Sequence, residues 1–343
     1  MINIESQIST KYLIETTIVP HTAFDNATQR IAQCLNYSDE ASEPIGIALI
    51  GESRTGKSRL LEDFECQHNP TRDENGINKK IIRVKTPSKP TVKSLVELML
   101  REIKDPIFTN GTENSKTIRL KCLMNKTGIK MVMIDEFQHF YDKGSHKVMH
   151  HVADWLKILV DDSKVSLVVA GLPTCKTVID QNEQLAGRFM APIILPRFDW
   201  SKDTQREEFI GILDAFQQIM EKYFNTPKFS NQEMSFRFYC ATGGLIGYLT
   251  KLLRQTVWDA LDSGDNIIKL KNLSQAYAKS IWTHEHPNPF DDAFSDQPTE
   301  FILSQIQKIG AHEPEEPGSE SATIKSGRKR RNKMTPSQIL SAQ

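Results

Sequence analysis

The stretch Gly-Glu-Ser-Arg-Thr-Gly-Lys-Ser at residues 51–58 decides the fold of this chain, and an apolar run at 45–50, typical of a buried strand, precedes it. It matches the phosphate-loop pattern G-x-x-x-x-G-K-[ST]. The two glycines let the backbone curl closely, so that successive N–H groups and the start of the next helix can cradle phosphates. Lys57 would reach the β- and γ-phosphates, and the Ser58 hydroxyl would bind Mg²⁺. The pattern predicts a nucleotide site made of Gly51, Glu52, Ser53, Arg54, Thr55, Gly56, Lys57 and Ser58.

A second signal is the acidic pair Asp135-Glu136, which ends the continuous apolar run 131–134. Such a run is typical of a central parallel strand. In P-loop ATPases the aspartate orders Mg²⁺ and the adjacent glutamate polarises the attacking water. We therefore predict that Asp135 and Ser58 hold the metal, and that Glu136 and Lys57 are catalytic. The predicted ligands are ATP and Mg²⁺.

Other nucleotide-binding classes are disfavoured by the same stretches. A G-domain needs an Asn-Lys-x-Asp motif after the acidic strand, whereas the only similar string, at 125–128, precedes that strand and lacks the Asp. A small-molecule kinase would fit the loop alone, but the Asp-Glu pair favours hydrolysis by an activated water. The sequence therefore predicts an ATPase, which converts ATP and water to ADP and phosphate.

The composition fits one medium-sized ATPase module with appendages. Of 343 residues, 38% are hydrophobic and 25% charged, which is ample for a buried core. Lys plus Arg and Asp plus Glu both number 43, so any attraction to nucleic acid must come from local patches. The five cysteines are scattered, and no apolar stretch approaches the ~20 residues of a membrane span. We expect a reduced, cytoplasmic protein with no membrane partner.

Strand-like and helix-like apolar patterns alternate through the nucleotide core. Strands are predicted at 45–51, 80–85, 129–135, 165–171 and 192–197, and helices at about 57–67, 91–103, 115–126, 147–163 and 204–224. Such alternation predicts an α/β fold with a parallel five-stranded sheet and helices on both faces. A purely helical pattern follows, which predicts a small helical lid. This is the P-loop AAA+ arrangement.

The same patterns divide the chain into four parts. They are an N-terminal extension (1–44), an AAA+ nucleotide-binding domain (45–228), a helical lid (229–284), and a flexible acidic linker with a basic C-terminal tail (285–343). Residues 285–320 hold nine acidic side chains against one Lys, a composition typical of loosely tethered segments. Residues 325–333 carry six positive charges and no negative ones. A solvated tail, a phosphate contact and a docking peptide all fit that run.

Five segments of the chain resemble one known family. They are the phosphate loop 51–58, the acidic strand and its continuation 131–140, the strand exit 168–174, Gln-Leu-Ala-Gly-Arg-Phe at 184–189, and Thr-Gly-Gly-Leu-Ile-Gly-Tyr-Leu at 242–249. Together they are similar to the TniB/TnsC AAA+ regulators of DNA transposition, over roughly residues 20–285. The loop and the acidic pair are generic. The more specific stretches are the Asp-Glu-Phe-Gln-His run at 135–139, the segment 184–189 and Gly-Leu-Ile-Gly at 244–247.

The resemblance implies a prokaryotic, homo-oligomeric ATPase that forms a ring or filament on double-stranded DNA. Such a protein links a target-selection protein of the TniQ type to the transposase. ATP hydrolysis then disassembles the complex.

The resemblance also implies roles for single residues. Arg188 lies in the segment that provides the arginine finger, whose guanidinium acts in trans on the γ-phosphate bound by the neighbouring subunit. The alternative for Arg188 is an intramolecular salt bridge at a helix end. Gly187 stands where many relatives carry a second Arg, and Gly247 stands where other AAA+ proteins place a sensor arginine. Slow turnover is the natural inference, and Thr174 is the polar side chain that the strand exit offers as a first sensor.

DNA contacts must come from local cations, because a neutral protein that encircles DNA has to concentrate its positive charge on one surface. The candidates are Lys89 and Lys93 at the start of one helix, and Lys116, Arg119 and Lys121 on the helix before the acidic strand. Residues three apart share a helical face, so Lys116 and Arg119 can project together. An ordinary solvated basic face is the alternative for each of them.

Two other functional classes stay open at this point. One is an AAA+ ATPase of another branch, acting on protein or as a helicase-loader-like factor, which DNA-stimulated ATPase activity would distinguish. The other is a pure adaptor with a degenerate site, against which the intact Lys57, Ser58, Asp135 and Glu136 argue.

Overall fold

The computed structural model describes residues 10–37, 43–74, 76–281 and 287–294, together with residues 302, 303, 306 and 309. The strands are β1 (Gly46–Ile50), β2 (Thr71–Asp73), β3 (Gly76–Asn78), β4 (Ile81–Lys85), β5 (Met131–Asp135), β6 (Ser166–Gly171) and β7 (Ile193–Ile194). The helices are α1 (Leu13–Thr16), α2 (Thr22–Tyr37), α3 (Lys57–Gln67), α4 (Val92–Glu102), α5 (Glu113–Thr127), α6 (His139–Asp142), α7 (His146–Ser163), α8 (Cys175–Ile179), α9 (Glu183–Ala186), α10 (Asp203–Met220), α11 (Gln232–Thr242), α12 (Ile246–Ser263) and α13 (Leu270–Ser280).

Five parallel strands form the central sheet in the order β4-β5-β6-β1-β7. Neighbouring side chains of a strand point to opposite faces of the sheet, so β5 contributes side chains to two hydrophobic clusters, one on each face. Val132 and Ile134 belong to a cluster with α4, α5 and α7, whereas Met131 and Met133 belong to a cluster with α2 and α3. The sheet therefore has helices on both faces, as predicted. The small antiparallel hairpin β2-β3 stands apart from it.

A third hydrophobic cluster holds the helical region together. Its buried residues come from α10, α11, α12 and α13, and they include Phe209, Phe216 and Leu252. Ile14 of the N-terminal segment joins this cluster, so α1 packs on the helical region rather than on the sheet. None of the described helices is long and apolar enough to cross a membrane.

Parts of the segment predicted to be a flexible linker pack against the helical region, which corrects that prediction for those residues. Phe290 is 1% exposed, and the Arg237 guanidinium donates to the carbonyls of Pro289 (2.7 Å) and Asp291 (2.9 Å). Further along, Ile302, Leu303, Ile306 and Ile309, here called the C-terminal anchor, pack on the helical cluster. Apolar side chains recur three or four residues apart in this acidic segment. The free energy gained by burying them is greater than the cost of ordering the segment. The basic run 325–333 lies outside the described residues.

Candidate nucleotide site

The predicted phosphate loop connects β1 to α3 at the carboxyl edge of the sheet. Gly56 precedes the helix with φ of +101°, a conformation that a side chain would strain, and this permits the tight turn into α3. The Lys57 ammonium donates to the carbonyls of Gly51 (2.8 Å) and Glu52 (2.5 Å). The loop thus curls around its own lysine.

Lys57 lies near the acidic pair, because β1 and β5 are parallel strands of one sheet and both end at its carboxyl edge. Burial lowers the pKa of the Lys57 ammonium, and the nearby carboxylates of Glu136 and Asp135 oppose that shift. Two segments separated by almost eighty residues of sequence therefore meet at one site. This is the meeting of loop and acidic strand that the sequence predicted.

Glu136 is held in a sparsely populated backbone conformation. Its φ is +54°, uncommon for a residue with a side chain, and its N–H donates to Asp135 Oδ1 at 2.8 Å. Its own carboxylate accepts from Gln138 Nε2 at 2.5 Å and lies 3.6 Å from the Lys85 ammonium. Gln138 is buried and accepts from the Leu172 N–H at 3.2 Å. The Glu136 carboxylate is thus oriented from two sides, and strain of this kind is found where a structure fixes a functional group.

The donor set suits a magnesium ion. Asp135 is 4% exposed at the end of β5, and Ser58 is exposed on the first turn of α3. A carboxylate and a hydroxyl are the hard oxygen ligands that Mg²⁺ takes alongside phosphate oxygens and waters. These two residues would hold it.

The helical region closes directly onto the phosphate loop. The Gly247 N–H donates to the Arg54 carbonyl at 2.9 Å, and a Cβ at position 247 would lie 2.8 Å from the Arg54 Cβ. Glycine at the sensor-arginine position therefore has a local reason, because only hydrogen fits there. On the other flank, Arg197 Nε donates to both carboxylate oxygens of Glu52 (2.9 and 3.1 Å), and its Nη atoms donate to the carbonyls of Ile306 (3.4 Å) and Ile309 (2.9 Å).

The family model for the bacterial TniB protein matches residues 10–200, more than half of the chain. The chain belongs to the TniB family. No curated protein matches it.

Solved structures share the fold of this TniB-family chain. The Aeropyrum pernix ORC2 protein in its ADPNP and ADP complexes gives a TM-score of 0.59 at 10% identity, over 78% of this chain and 71% of that one. Cdc6p from Pyrobaculum aerophilum gives 0.57 at 11% identity, over 79% and 71%. The Aeropyrum pernix ORC1 protein in complex with DNA gives 0.53 at 15% identity, over 78% and 69%. The AAA+ fold predicted from the sequence is confirmed, and this TniB-family chain is an ATPase.

Arg188 lies at the amino-terminal end of β1, whereas the phosphate loop follows the carboxyl-terminal end of that strand. Its carbonyl accepts from the N–H of Gly46, the first residue of β1, whereas the loop follows the last residue of that strand. The length of β1, about 13 Å at the usual rise per residue, separates Arg188 from the chain's own site. Its guanidinium is paired with Glu43 and, at 3.1 Å, with Asp161. The intramolecular salt bridge considered as the alternative for Arg188 is therefore present.

The five predicted DNA-contacting cations fall into two groups. Lys116 is fully buried against Glu97, so it cannot face DNA, and its prediction was wrong because α5 turns this residue into the core. Arg119 is engaged by the Asp105 carboxylate at 2.7 Å, and Lys121 is engaged by Asp162 at 2.5 Å. The predicted common face of Lys116 and Arg119 is therefore not available. Lys89 and Lys93 are exposed.

Sequence reasoning missed three residues that shape the site. Gln138 and Lys85 orient the Glu136 carboxylate, and Arg197 clamps Glu52. Gln138 was within the quoted family segment, two residues after Glu136, so its spacing was a usable signal. Arg197 had none, because its partner lies 145 residues away in sequence. Thr174, the sensor candidate, has a buried hydroxyl with no hydrogen-bond partner among the described residues.

Proposed function

We propose that this ATPase is a DNA-binding regulator of transposition, which oligomerises on double-stranded DNA and links a target-selection protein of the TniQ type to the transposase. Membership of the TniB family carries the proposal. The phosphate loop and the acidic pair support it, because an assembly factor that is switched by ATP needs binding and hydrolysis in the same molecule. Hydrolysis then disassembles the complex.

The residues of the site have distinct tasks in the proposed cycle. The loop N–H groups and Lys57 bind the phosphates, and Ser58 and Asp135 would hold Mg²⁺, which would supply positive charge beside those phosphates. Glu136 accepts a hydrogen bond from the attacking water and aligns it with the γ-phosphorus. Gln138 and Lys85 keep the Glu136 carboxylate in place, since each contacts one of its two oxygens.

Assembly would complete the site through Arg188. Glu43 and Asp161 neutralise this guanidinium in the single chain, so a neighbouring subunit must draw it away from them. The exchange replaces two carboxylates by a bound γ-phosphate, which Arg recognises equally well. Hydrolysis would then depend on oligomerisation.

DNA binding is assigned to the surface that carries Lys89 and Lys93. Both side chains are exposed, and they lie at the N-terminal end of α4. Duplex phosphates are bound by such cations without reading bases, which suits a protein that must accept many target sequences.

The test is ATPase activity and sedimentation with and without duplex DNA. We expect duplex DNA to stimulate ATP hydrolysis. With a non-hydrolysable ATP analogue, we expect the protein to sediment with DNA as large oligomers. Lys89→Glu with Lys93→Glu should abolish both effects, whereas Lys121→Glu, which removes a cation already paired with Asp162, should retain them. ATPase activity indifferent to DNA would instead favour an AAA+ protein of another branch.

A further inference from the structure

The turn between strand β6 and helix α8 contacts Gln138 at two points. The Leu172 N–H donates to Gln138 Oε1 at 3.2 Å, and the Gln138 N–H donates to the Cys175 sulfur. The Cys175 N–H in turn donates to the Leu172 carbonyl at 2.9 Å, so the turn is closed by a hydrogen bond of its own. Cys175 is the first residue of α8 and is 1% exposed. The turn therefore gives Gln138 a fixed support.

The Gln138 amide has a single orientation in this setting. A backbone N–H can only donate, so the amide atom that faces Leu172 is the oxygen, and the amide nitrogen faces the Glu136 carboxylate. Gln138 thus presents a donor to Glu136. Because the amide and the N–H belong to one buried residue, a shift of the Gln138 backbone would move that donor. The acceptor that fixes the Gln138 N–H therefore bears on Glu136.

The Gln138 amide and the Cys175 thiol together fill the space beside Gly171, the last residue of β6. A Cβ at position 171 would overlap Gln138 Oε1 and would lie 2.5 Å from Cys175 Sγ. The Gly171 carbonyl accepts from the N–H of Gly51, the first residue of the phosphate loop, at 3.2 Å. Interiors packed this closely transmit displacements, so removal of the sulfur is expected to loosen Gln138.

The thiol suits a place beside a catalytic carboxylate because it is neutral. Burial raises the pKa of Cys175 to about 12, and the nearby Lys57 ammonium opposes that shift. A protonated sulfur is a weak acceptor. It can fix the direction of the Gln138 N–H without adding negative charge near Glu136.

We propose that Cys175 is a positioning residue for ATP hydrolysis, which acts through Gln138 to hold the Glu136 carboxylate toward the attacking water. Two contacts carry the effect: the Gln138 N–H on the Cys175 sulfur, and the Gln138 amide on Glu136 at 2.5 Å. The inference rests on the role given to Glu136 in the proposed function, but it is independent of any transposition partner.

The first experiment measures kcat and KM for ATP in the full chain, with or without duplex DNA, whichever condition gives the parent its faster turnover. Cys175→Ala should lower kcat about tenfold, since displacing a catalytic arrangement by about 1 Å can cost about 10²-fold. The phosphate loop is unchanged, so KM should stay within about twofold. Cys175→Ser supplies an oxygen acceptor in place of sulfur and should keep kcat within about threefold of the parent.

Cys240→Ala is the matched control. Cys240 is 5% exposed in the helical cluster, and burial raises its pKa to about 12 as well. Both alanine variants remove a buried sulfur and should lower the melting temperature, but only Cys175→Ala should lower kcat. An equal loss of kcat in the two variants would reduce the effect to destabilisation and would overturn the proposal.

A double-mutant cycle tests whether the effect passes through Gln138. Gln138→Ala should lower kcat alone, and adding Cys175→Ala should lower kcat no further, because the amide that carries the effect is already absent. Multiplied losses in the double variant, or parent kcat in either single variant, would overturn the proposal.

Glu136→Gln, measured beside these variants, distinguishes the two possible failures. If Glu136→Gln is inactive while Cys175→Ala matches the parent, only the role of Cys175 fails. If Glu136→Gln turns over at the parent rate, the assignment of Glu136 in the proposed function fails, and the role of Cys175 fails with it.

Discussion

At the scale of single residues, the Glu136 carboxylate combines an unusual backbone with a fixed orientation. Glu136→Gln preserves shape and the contact with Gln138 but removes the negative charge that polarises water. We expect ATP affinity to remain within about threefold while turnover falls by about 10²–10⁴, the usual contribution of a general base. Phosphate release and equilibrium nucleotide binding, measured on one preparation, check this. Turnover at the parent rate would remove Glu136 from its assigned role.

The cysteines give a second prediction at this scale. Burial raises the pKa of Cys175 and of Cys240 to about 12, and it raises the pKa of Cys34 as well. Their thiols therefore stay protonated and unreactive, because the thiolate is the nucleophile. Cys66 and Cys122 are exposed. Iodoacetamide at pH 8 followed by mass spectrometry should label those two alone, and early labelling of Cys175 would show that the core beside the site opens readily.

At the scale of elements, the start of helix α12 is pressed against the phosphate loop. Gly247→Ala places a methyl group 2.8 Å from the Arg54 Cβ, so the helix must move off the loop. Such overpacking costs about 1–3 kcal/mol, and we expect weaker ATP binding together with a lower melting temperature.

Gly211→Ala is the control, since a Cβ there meets nothing within 4 Å and the residue lies inside α10. Alanine at this position should stabilise the helix by about 0.5–1 kcal/mol without changing nucleotide affinity. Thermal unfolding and ATP titration of the two variants provide the comparison. Equal ATP affinity in both would mean that the contact of α12 with the loop is not needed for binding.

Apolar periodicity predicted the long elements closely and the short ones poorly. Helix α3 begins and ends where the pattern predicted, and β5 (Met131–Asp135) falls inside the predicted 129–135. The hairpin β2-β3 was missed because its three-residue strands carry mostly polar side chains and no alternation. Contacts between distant segments could not be predicted from the sequence. Arg188 pairs with Glu43, 145 positions away, and no local pattern indicates that pairing. The site motifs were local, as was Gln138, whereas Lys85 and Arg197 came from elsewhere in the chain.

At the scale of the whole molecule, Arg188 and the phosphate loop lie at opposite ends of strand β1, so the proposed finger of one chain would have to act at the site of another. Arg188→Ala should lose DNA-stimulated turnover while its nucleotide affinity stays at the parent level. Lys57→Ala lacks a competent site but retains Arg188. Mixing the two variants should restore part of the activity, and ATPase assays across mixing ratios check this. No recovery at any ratio would contradict a role in trans.

The basic run 325–333 permits a prediction of the same scale. Deleting residues 325–343 should leave ATP hydrolysis and DNA binding intact but abolish capture of the transposase in a pull-down, because the acidic segment before the run repels duplex DNA. If the run instead binds DNA phosphates, the deletion should weaken the salt dependence of DNA binding. The slope of the logarithm of the binding constant against the logarithm of the salt concentration should fall in magnitude by roughly 0.9 for each lost contact. Equal capture of the transposase by the full and shortened chains would exclude the docking role.

Arg197 joins the phosphate loop to the C-terminal anchor through one guanidinium, with Glu52 on one side and the carbonyls of Ile306 and Ile309 on the other. Suppose that a protein binds the C-terminal anchor, displaces it and thereby changes the affinity for nucleotide by some factor. Nucleotide then changes the affinity for that protein by the same factor, because coupling between two binding sites is reciprocal. Couplings of this kind commonly amount to about 1–3 kcal/mol, or 5- to 150-fold. Recruitment of a partner at the C-terminus and release of the nucleotide would then be two measurements of a single equilibrium.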